Sequence, residues 1–370
     1  MTTTSAQMLM GYDSPAGIHD ECVDELGEIR PAWRELASLL TGLKADGIAD
    51  RVVQIDDLVR SNGASFRPDP ALTDPIIGDV GGQTESNDSA RPWHLSVTPM
   101  ILSQREFDSL AAGIAQRTRL LEAVLADLLG DQRLLRDRVV PRELLWSNRL
   151  FYRSYHRLVG ARSSDKAFRR LHVTGCDVTR QSGGGWCVLG DRTRAPSGLG
   201  YTLENRIVYS RVFPHWHRQA NALRLAGFFS SLRNHFQSLA PRQRENPRIV
   251  LLTPGQGSYR DFEDAYLARY LGFDLVQGRD LAIRGNRLFL KTLGGLLPVE
   301  VMWRHVSDRK CDPLELLPNS TEGVTGLLRC IRGGHAAIAN AIEDKIRAAH
   351  GLDFDMPEGE KHEDDDDDAA

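Results

Sequence analysis

The run from Gly175 to Arg211 gathers the side-chain types that metal and phosphate chemistry uses. Asp177 and Asp191 supply carboxylates, Glu204 and Asn205 add further oxygens, and Arg192, Arg194, Arg206 and Arg211 supply guanidinium groups. Mg²⁺ takes oxygen ligands, and phosphate oxygens pair with guanidinium forks. Two short runs, Cys176–Thr179 and Trp186–Leu189, flank Gly183–Gly185 and alternate apolar with polar positions, which predicts a hairpin. With one acid on each of two adjacent strands, Asp177 and Asp191 are expected to face one shared point with Arg206 or Arg211 nearby. The same residues also read as a solvated hairpin carrying surface ion pairs, a kind worth little to stability.

The elements that must position these groups are legible in the flanking sequence. The clearest is a helix from about Gln104 to Leu129, with Phe107, Leu110, Ile114, Leu121, Val124, Leu125 and Leu128 forming one apolar stripe. Ser103 three residues before Glu106 is a capping-box pattern, and Gly130 closes the helix. Gln116 and Arg117 fall on its polar face. Asp20 to Arg60 carries two helical patterns, and residues 61–92 are rich in Gly, Pro, Asp and Ser, as a surface loop is. Pro247 to Arg284 reads as a β–α–β unit: an apolar strand at Arg248–Leu252, a turn at Thr253–Ser258, a helix at Asp261–Leu271 and a strand at Phe273–Val276. Such a crossover puts the turn at the carboxyl ends of the strands, where ligands usually bind. The turn lacks the GxGxxG and GxxxxGK[ST] patterns of dinucleotide and P-loop sites. A hairpin turning at Gly285-Asn286 and a strand at Val299–Val306 follow.

Two further clusters have rival readings. Arg149, Phe151, Tyr152, Arg153, Tyr155, His156 and Arg157 interleave rings with cations, as single-strand nucleic-acid binders do, and equally fit a half-buried helix. His215 and His217 share a face only on a strand, and zinc needs further ligands that the neighbourhood does not offer. The 370 residues carry a net charge of −4, with 26% charged and 41% hydrophobic residues, an ordinary globular balance that does not advertise nucleic acid. Five scattered cysteines, never in a CxxC pair, fit reduced thiols. No apolar run approaches the ~20 residues that span a bilayer, and the first residues lack a signal-peptide pattern, so a cytoplasmic location is expected.

VLGDRTRAPSGLGYTLENR, together with RPWHLSVTPMIL (Arg91–Leu102), PRIVLLTPG (Pro247–Gly255), FEDAYLARYLGFDLVQGRDLAIR (Phe262–Arg284), KTLGGLLPVEVMWRHVSD (Lys291–Asp308) and CDPLELLPNSTEGVTGLLRCIRGG (Cys311–Gly334), resembles the circularly permuted ATP-grasp proteins of type 2. These are similar to glutathionylspermidine synthetases, and the likeness runs in order from about residue 9 to 341. It implies an α/β (α+β) fold: a helical region over 1–145, an ATP-grasp-like metal and phosphate lobe over 146–245, a Rossmann-like block over 246–341 and an acidic tail over 342–370. The implied activity is an ATP-dependent carboxylate–amine ligase, with ATP and Mg²⁺ as cofactors and a small-molecule or peptide carboxylate and an amine as substrates, without nucleic acid or membrane. In that reading Asp177 and Asp191 hold the metal, and Arg192, Arg194 and Arg206 lie near the phosphates. Ser197, Gly198, Glu204, Asn205 and Arg211 shape the substrate side.

The chain departs from that pattern twice. Related synthetases have Glu-x-Asn where Gly190-Asp191-Arg192 stands here. Beyond Ile338–Ala341 the sequence runs into EDKIRAAHGLDFDMPEGEKHEDDDDDAA, where the glycine-rich approach to a lysine is absent. A helix over Ala336–His350 with Lys345 as a surface residue, and a lost lysine lobe, are expected. These departures favour the rival reading of a non-catalytic scaffold that binds a partner protein. Residues 77–90 and 353–370, polar and short of apolar anchors, are expected to be mobile.

Overall fold

The computed structural model describes residues 12, 14, 17–67, 90–143, 169–241 and 245–340. The expectations for the loop at 77–89, for the aromatic and basic run up to residue 168 and for the segment beyond residue 340 lie outside the described residues.

Helix α1 (Arg34–Ser61) is interrupted at Lys44, whose φ of 56° breaks the helical path, so the two sequence patterns become two helical arms. A two-stranded ribbon, β1 (Ser65–Phe66) with β2 (Arg91–Pro92), follows. Helix α2 (Gln104–Leu129) starts at the expected capping box, in which Ser103 and Glu106 each accept the other's backbone N–H. A single turn, α3 (Arg133–Arg136), ends this region. Then comes the hairpin, β3 (Gly175–Arg180) and β4 (Trp186–Arg192), antiparallel as the glycines predict. Its turn end is pinned by Arg180, which bonds Glu21 and Glu106 and stacks 3.8 Å above Trp186.

Three helices come next: α4 (Leu199–Val212), α5 (Pro214–Gln219) and α6 (Ala226–Ser238). His215 and His217 therefore sit on a helix, not on a strand. Val208, Tyr209 and Val212 of α4 bury against Ile55 and Val59 of α1.

The β–α–β unit forms as expected from β5 (Ile249–Leu252), α7 (Asp261–Leu271) and β6 (Asp274–Val276). A three-stranded meander follows, β7 (Leu281–Arg284), β8 (Arg287–Thr292) and β9 (Gly295–Pro298), its first turn at Gly285-Asn286 with both residues at positive φ. The chain then returns through β10 (Val301–Arg304), α8 (Leu327–Arg332) and β11 (Ala337–Ala339). The central sheet is parallel, in the order β11-β10-β5-β6. Strand alternation divides its core cleanly. Ile249, Leu251, Val301 and Trp303 face α6 and α7, where Phe236 lies 5.0 Å from the Trp303 ring. Val250, Leu252 and Met302 face the meander and α8. Both faces are covered, as a parallel sheet requires.

β11 takes the place of the first residues of the helix expected over Ala336–His350, whose part beyond residue 340 lies outside the described residues. Its alanines favour a helix locally, but Ala337 donates to the Glu300 carbonyl and pairs in register with Val301, so tertiary pairing overrides propensity. The helix α4 is likewise where the sequence offered only a polar cluster after a hairpin.

Candidate functional site

The hairpin presents Asp177 and Asp191 to opposite faces, which corrects the expectation that they share one point. Near the turn the register is Arg180 with Trp186 and Val178 with Val188, and continued unbroken it would place Asp177 and Asp191 on the same face. A one-residue bulge between Asp177 and Val178 shifts the pairing, so that Asp177 lies opposite Gly190 and Cys176 opposite Asp191. The single inserted residue turns Asp191 over.

Each carboxylate is then satisfied by its own arginine. On the inner face Arg117 of α2 donates from Nε to both Asp191 oxygens, at 2.9 and 2.8 Å, and from Nη2 at 2.8 Å. The Asp191 side chain is only 6% exposed. The Cys176 thiol donates to the same carboxylate at 3.2 Å, and burial together with that bond pushes the thiol up to about 11. On the outer face Arg192 donates from Nε to both oxygens of Asp177, at 3.0 and 2.9 Å, with Nη2 at 2.8 Å. Among the described residues no group of three or more His, Cys, Asp or Glu side chains gathers to hold a metal. The residues present do not fit a Mg²⁺ site shared by Asp177 and Asp191.

The loop after β4 has a different partner from the one expected. Ser197 Oγ donates to Glu263 Oε2 at 2.6 Å, and the Gly198 and Gly200 amides donate to Glu263 Oε1 at 2.6 and 3.1 Å. Gly198 has φ +123°, and a Cβ at Gly200 would lie 2.8 Å from Glu263 Cγ, so both glycines are demanded by this docking. Arg260, one turn before, reaches the Ala195 carbonyl at 3.1 Å. Asn340, at the end of β11, closes the other side. Its Oδ1 accepts the His172 and Val173 amides, each at 2.8 Å, and its Nδ2 donates to the carbonyls of Val173 and Thr193, each at 2.5 Å. The Ala195–Gly200 loop thus docks on the first turn of α7, the helix that follows β5.

Beneath that loop lies a buried charge cluster that sequence reading did not assemble. Arg260 donates to Asp264 Oδ1 at 3.1 Å, and His305 Nδ1 lies 2.6 Å from the same oxygen. Burial pushes His305 down, so it is held neutral, and the short contact assigns its one proton to Nδ1. Burial disfavours the Asp264 carboxylate, but His305 and Arg260 beside it hold it below the usual range. The signal was present in Arg260, Asp264 and His305 at the ends of neighbouring elements, but only the folded sheet brings them together.

The remaining residues separate. Glu204 is buried and accepts the Asn62 amide at 2.6 Å, and Asn205 Oδ1 accepts the Trp93 indole N–H at 2.8 Å. Both bind α4 to the N-terminal region. Arg206 is half-buried, and burial pulls its guanidinium down from its ordinary value. Arg211 is exposed. Arg194 is half-buried, makes no ion pair with a described residue and lies close enough to the buried Cys311 to favour its thiolate electrostatically.

A model of the circularly permuted ATP-grasp type 2 family matches residues 99–354, across the hairpin, the docked loop and the parallel sheet. The chain belongs to that family. It is 32% identical over 340 residues to an uncharacterized protein of Mycobacterium tuberculosis, covering 92% of this chain and 37% of that one. It is 36% identical over 327 residues to an uncharacterized protein of Mycobacterium leprae, covering 88% and 54%. A second Mycobacterium tuberculosis protein is 36% identical over 347 residues, covering 93% and 59%. The chain therefore spans between about a third and three fifths of the length of these relatives. That family generally uses ATP and Mg²⁺. No helix among the described residues is long and apolar enough to cross a membrane.

Proposed function

We propose that this chain carries the signature lobe, residues 146–245, and the Rossmann-like block, residues 246–341, of an ATP-dependent carboxylate–amine ligase. In that chemistry a substrate carboxylate oxygen attacks the γ-phosphorus of ATP, and ADP leaves as the acylphosphate forms. The amine nitrogen then attacks the acyl carbon, inorganic phosphate departs with the C–O bonding pair, and the amine loses a proton. Such transfer depends on positioning and on neutralising phosphate charge. The observation that carries the reading is the half-buried Arg194 without an ion-pair partner among the described residues, on a loop fixed by Asn340, Arg260 and Glu263. Arg194 binds a phosphate oxygen, and Arg206, in the middle of α4 with His217 of α5 nearby, is the further arginine of the proposed set. Glu204, Asn205, Ser197 and Gly198 act through the fold by holding α4 and the loop in place.

The test is phosphate release from ATP with a panel of carboxylates and amines. Turnover that falls at least a hundredfold in Arg194→Ala and partly returns in Arg194→Lys is expected. Turnover indifferent to Arg194 would defeat the reading. A second reading has its own observation: both acids of the hairpin are closed by guanidinium groups. It describes a protein that keeps the fold and binds a partner protein without consuming ATP. ATP binding without phosphate release under every substrate pair would favour it.

A further inference from the structure

The outer face of the β3–β4 hairpin carries three positions in reach of one another: Asp177, Gly190 directly opposite it, and Arg192 two residues further along the same strand. Residues opposite each other in an antiparallel pair bring their Cβ atoms to within about 5 Å, and alternate residues on one strand share a face. Three oxygen-bearing side chains here would suit a hard divalent cation. The chain offers only one. Gly190 has no side chain, yet its φ lies outside the left-handed region and a Cβ there would have no atom within 4 Å. Arg192 closes both oxygens of Asp177 with contacts at 3.0, 2.9 and 2.8 Å. Asp191 lies on the other face and is closed by Arg117, so it does not complete the set.

We propose that the Arg192 guanidinium takes the place of a divalent cation at Asp177, and that this face is a cation site switched off by two residues, Gly190 and Arg192. A guanidinium held by two oxygens neutralises the carboxylate as a metal would, and its positive charge repels an arriving cation. The space at Gly190 and the exposure of the Arg192–Asp177 pair, 46% and 47%, mean that the exchange Gly190→Glu with Arg192→Asn disturbs no packed core.

Mn²⁺ binding to the full chain, followed by electron paramagnetic resonance, tests this without recourse to activity. The acidic run at 363–368 adds weak background binding, so each measurement is paired with Asp177→Asn. The unchanged chain and Asp177→Asn are expected to give the same Mn²⁺ isotherm. Gly190→Glu/Arg192→Asn should gain one site per chain, at least tenfold tighter than background, that adding Asp177→Asn abolishes. A site in the unchanged chain that Asp177→Asn removes would overturn the proposal. So would a double variant that keeps its circular dichroism and gains nothing. If the double variant does not fold, the comparison of the unchanged chain with Asp177→Asn decides alone, since equality supports the proposal and a difference sinks it.

Discussion

Replacing Asn340 with alanine removes the side chain that ties the foot of the hairpin to the edge strand of the parallel sheet. Five backbone groups lose a partner: the amides of His172 and Val173, the carbonyls of Val173 and Thr193 and, at 3.4 Å, the carbonyl of Arg194. Val173 is 8% exposed, so its amide and carbonyl are the two groups least able to turn to water. Stranding a buried polar group costs ~1–3 kcal/mol, which gives ~2–6 kcal/mol for the two. A water entering the vacated space recovers part of this, so we expect a loss of ~2–4 kcal/mol. In urea, with a slope of ~2–3 kcal/mol per M, the unfolding midpoint should fall by about 1 M. The same variant should speed hydrogen exchange at the His172 and Val173 amides before any global change. A loss under ~0.5 kcal/mol with unchanged exchange at those amides would refute the reasoning, because surface exchanges fall in that range. Asn340→Asp refines the test. At neutral pH it sets a carboxylate oxygen against the Val173 and Thr193 carbonyls, and protonation restores a donor. Its folded-state pKa should lie above the unfolded value, so its deficit should shrink as pH falls through that raised value.

Glu263→Ala should free the Ser197–Gly200 loop and leave Arg260 with only Asp264 as its acid. A loss of ~3–5 kcal/mol, with faster exchange at the Gly198 and Gly200 amides, is expected. His172 Nδ1 lies 3.0 Å from His235 Nε2, and burial pulls both histidines down, His172 to about 4 with His235 contributing. A histidine held neutral in the fold stabilises above its unfolded pKa of ~6.5, and that contribution is lost as pH falls towards 4, up to roughly 3 kcal/mol. His172→Gln should flatten the decline in melting temperature between pH 7 and pH 4.5, and an unchanged slope would count against the pair. Burial pushes the Cys311 thiol up to about 12 and the Cys330 thiol to about 11, so neither should react with a thiol reagent at pH 8 until the chain unfolds.

The elements that were legible are those whose signals are local. The capping box at Ser103 and Glu106, the Gly285-Asn286 turn and the apolar run of β5 each fix their own geometry, and α2, the meander and the parallel sheet formed accordingly. The site was legible in residue type but not in direction. Asp177 and Asp191 change from neighbours to opposites because of one bulged residue, and nothing in GCDVTR or WCVLGDR announces it. Arg117, 74 residues from Asp191, and Glu263, 66 residues from Ser197, lie beyond any periodic pattern. Helix α4 was hidden for another reason. Its faces are all partly buried, by α1, α7 and the aromatic rings around Trp93, so its sequence lacks a single apolar stripe.

The docking of Ser197, Gly198 and Gly200 on Glu263 changes what their motif diagnoses. A small hydroxyl followed by two glycines beside arginines invites assignment to a phosphate, yet here each member answers to a carboxylate on a distant helix. The requirement for these residue types comes from fitting two parts of one chain together. It holds whether or not a nucleotide ever arrives. A protein of this family can therefore keep the run intact while its cation face is rewritten, as Gly190 and Arg192 are here. The glycine run marks only that the architecture has been retained, and whether the hairpin face can hold a cation turns on residues 177, 190 and 192.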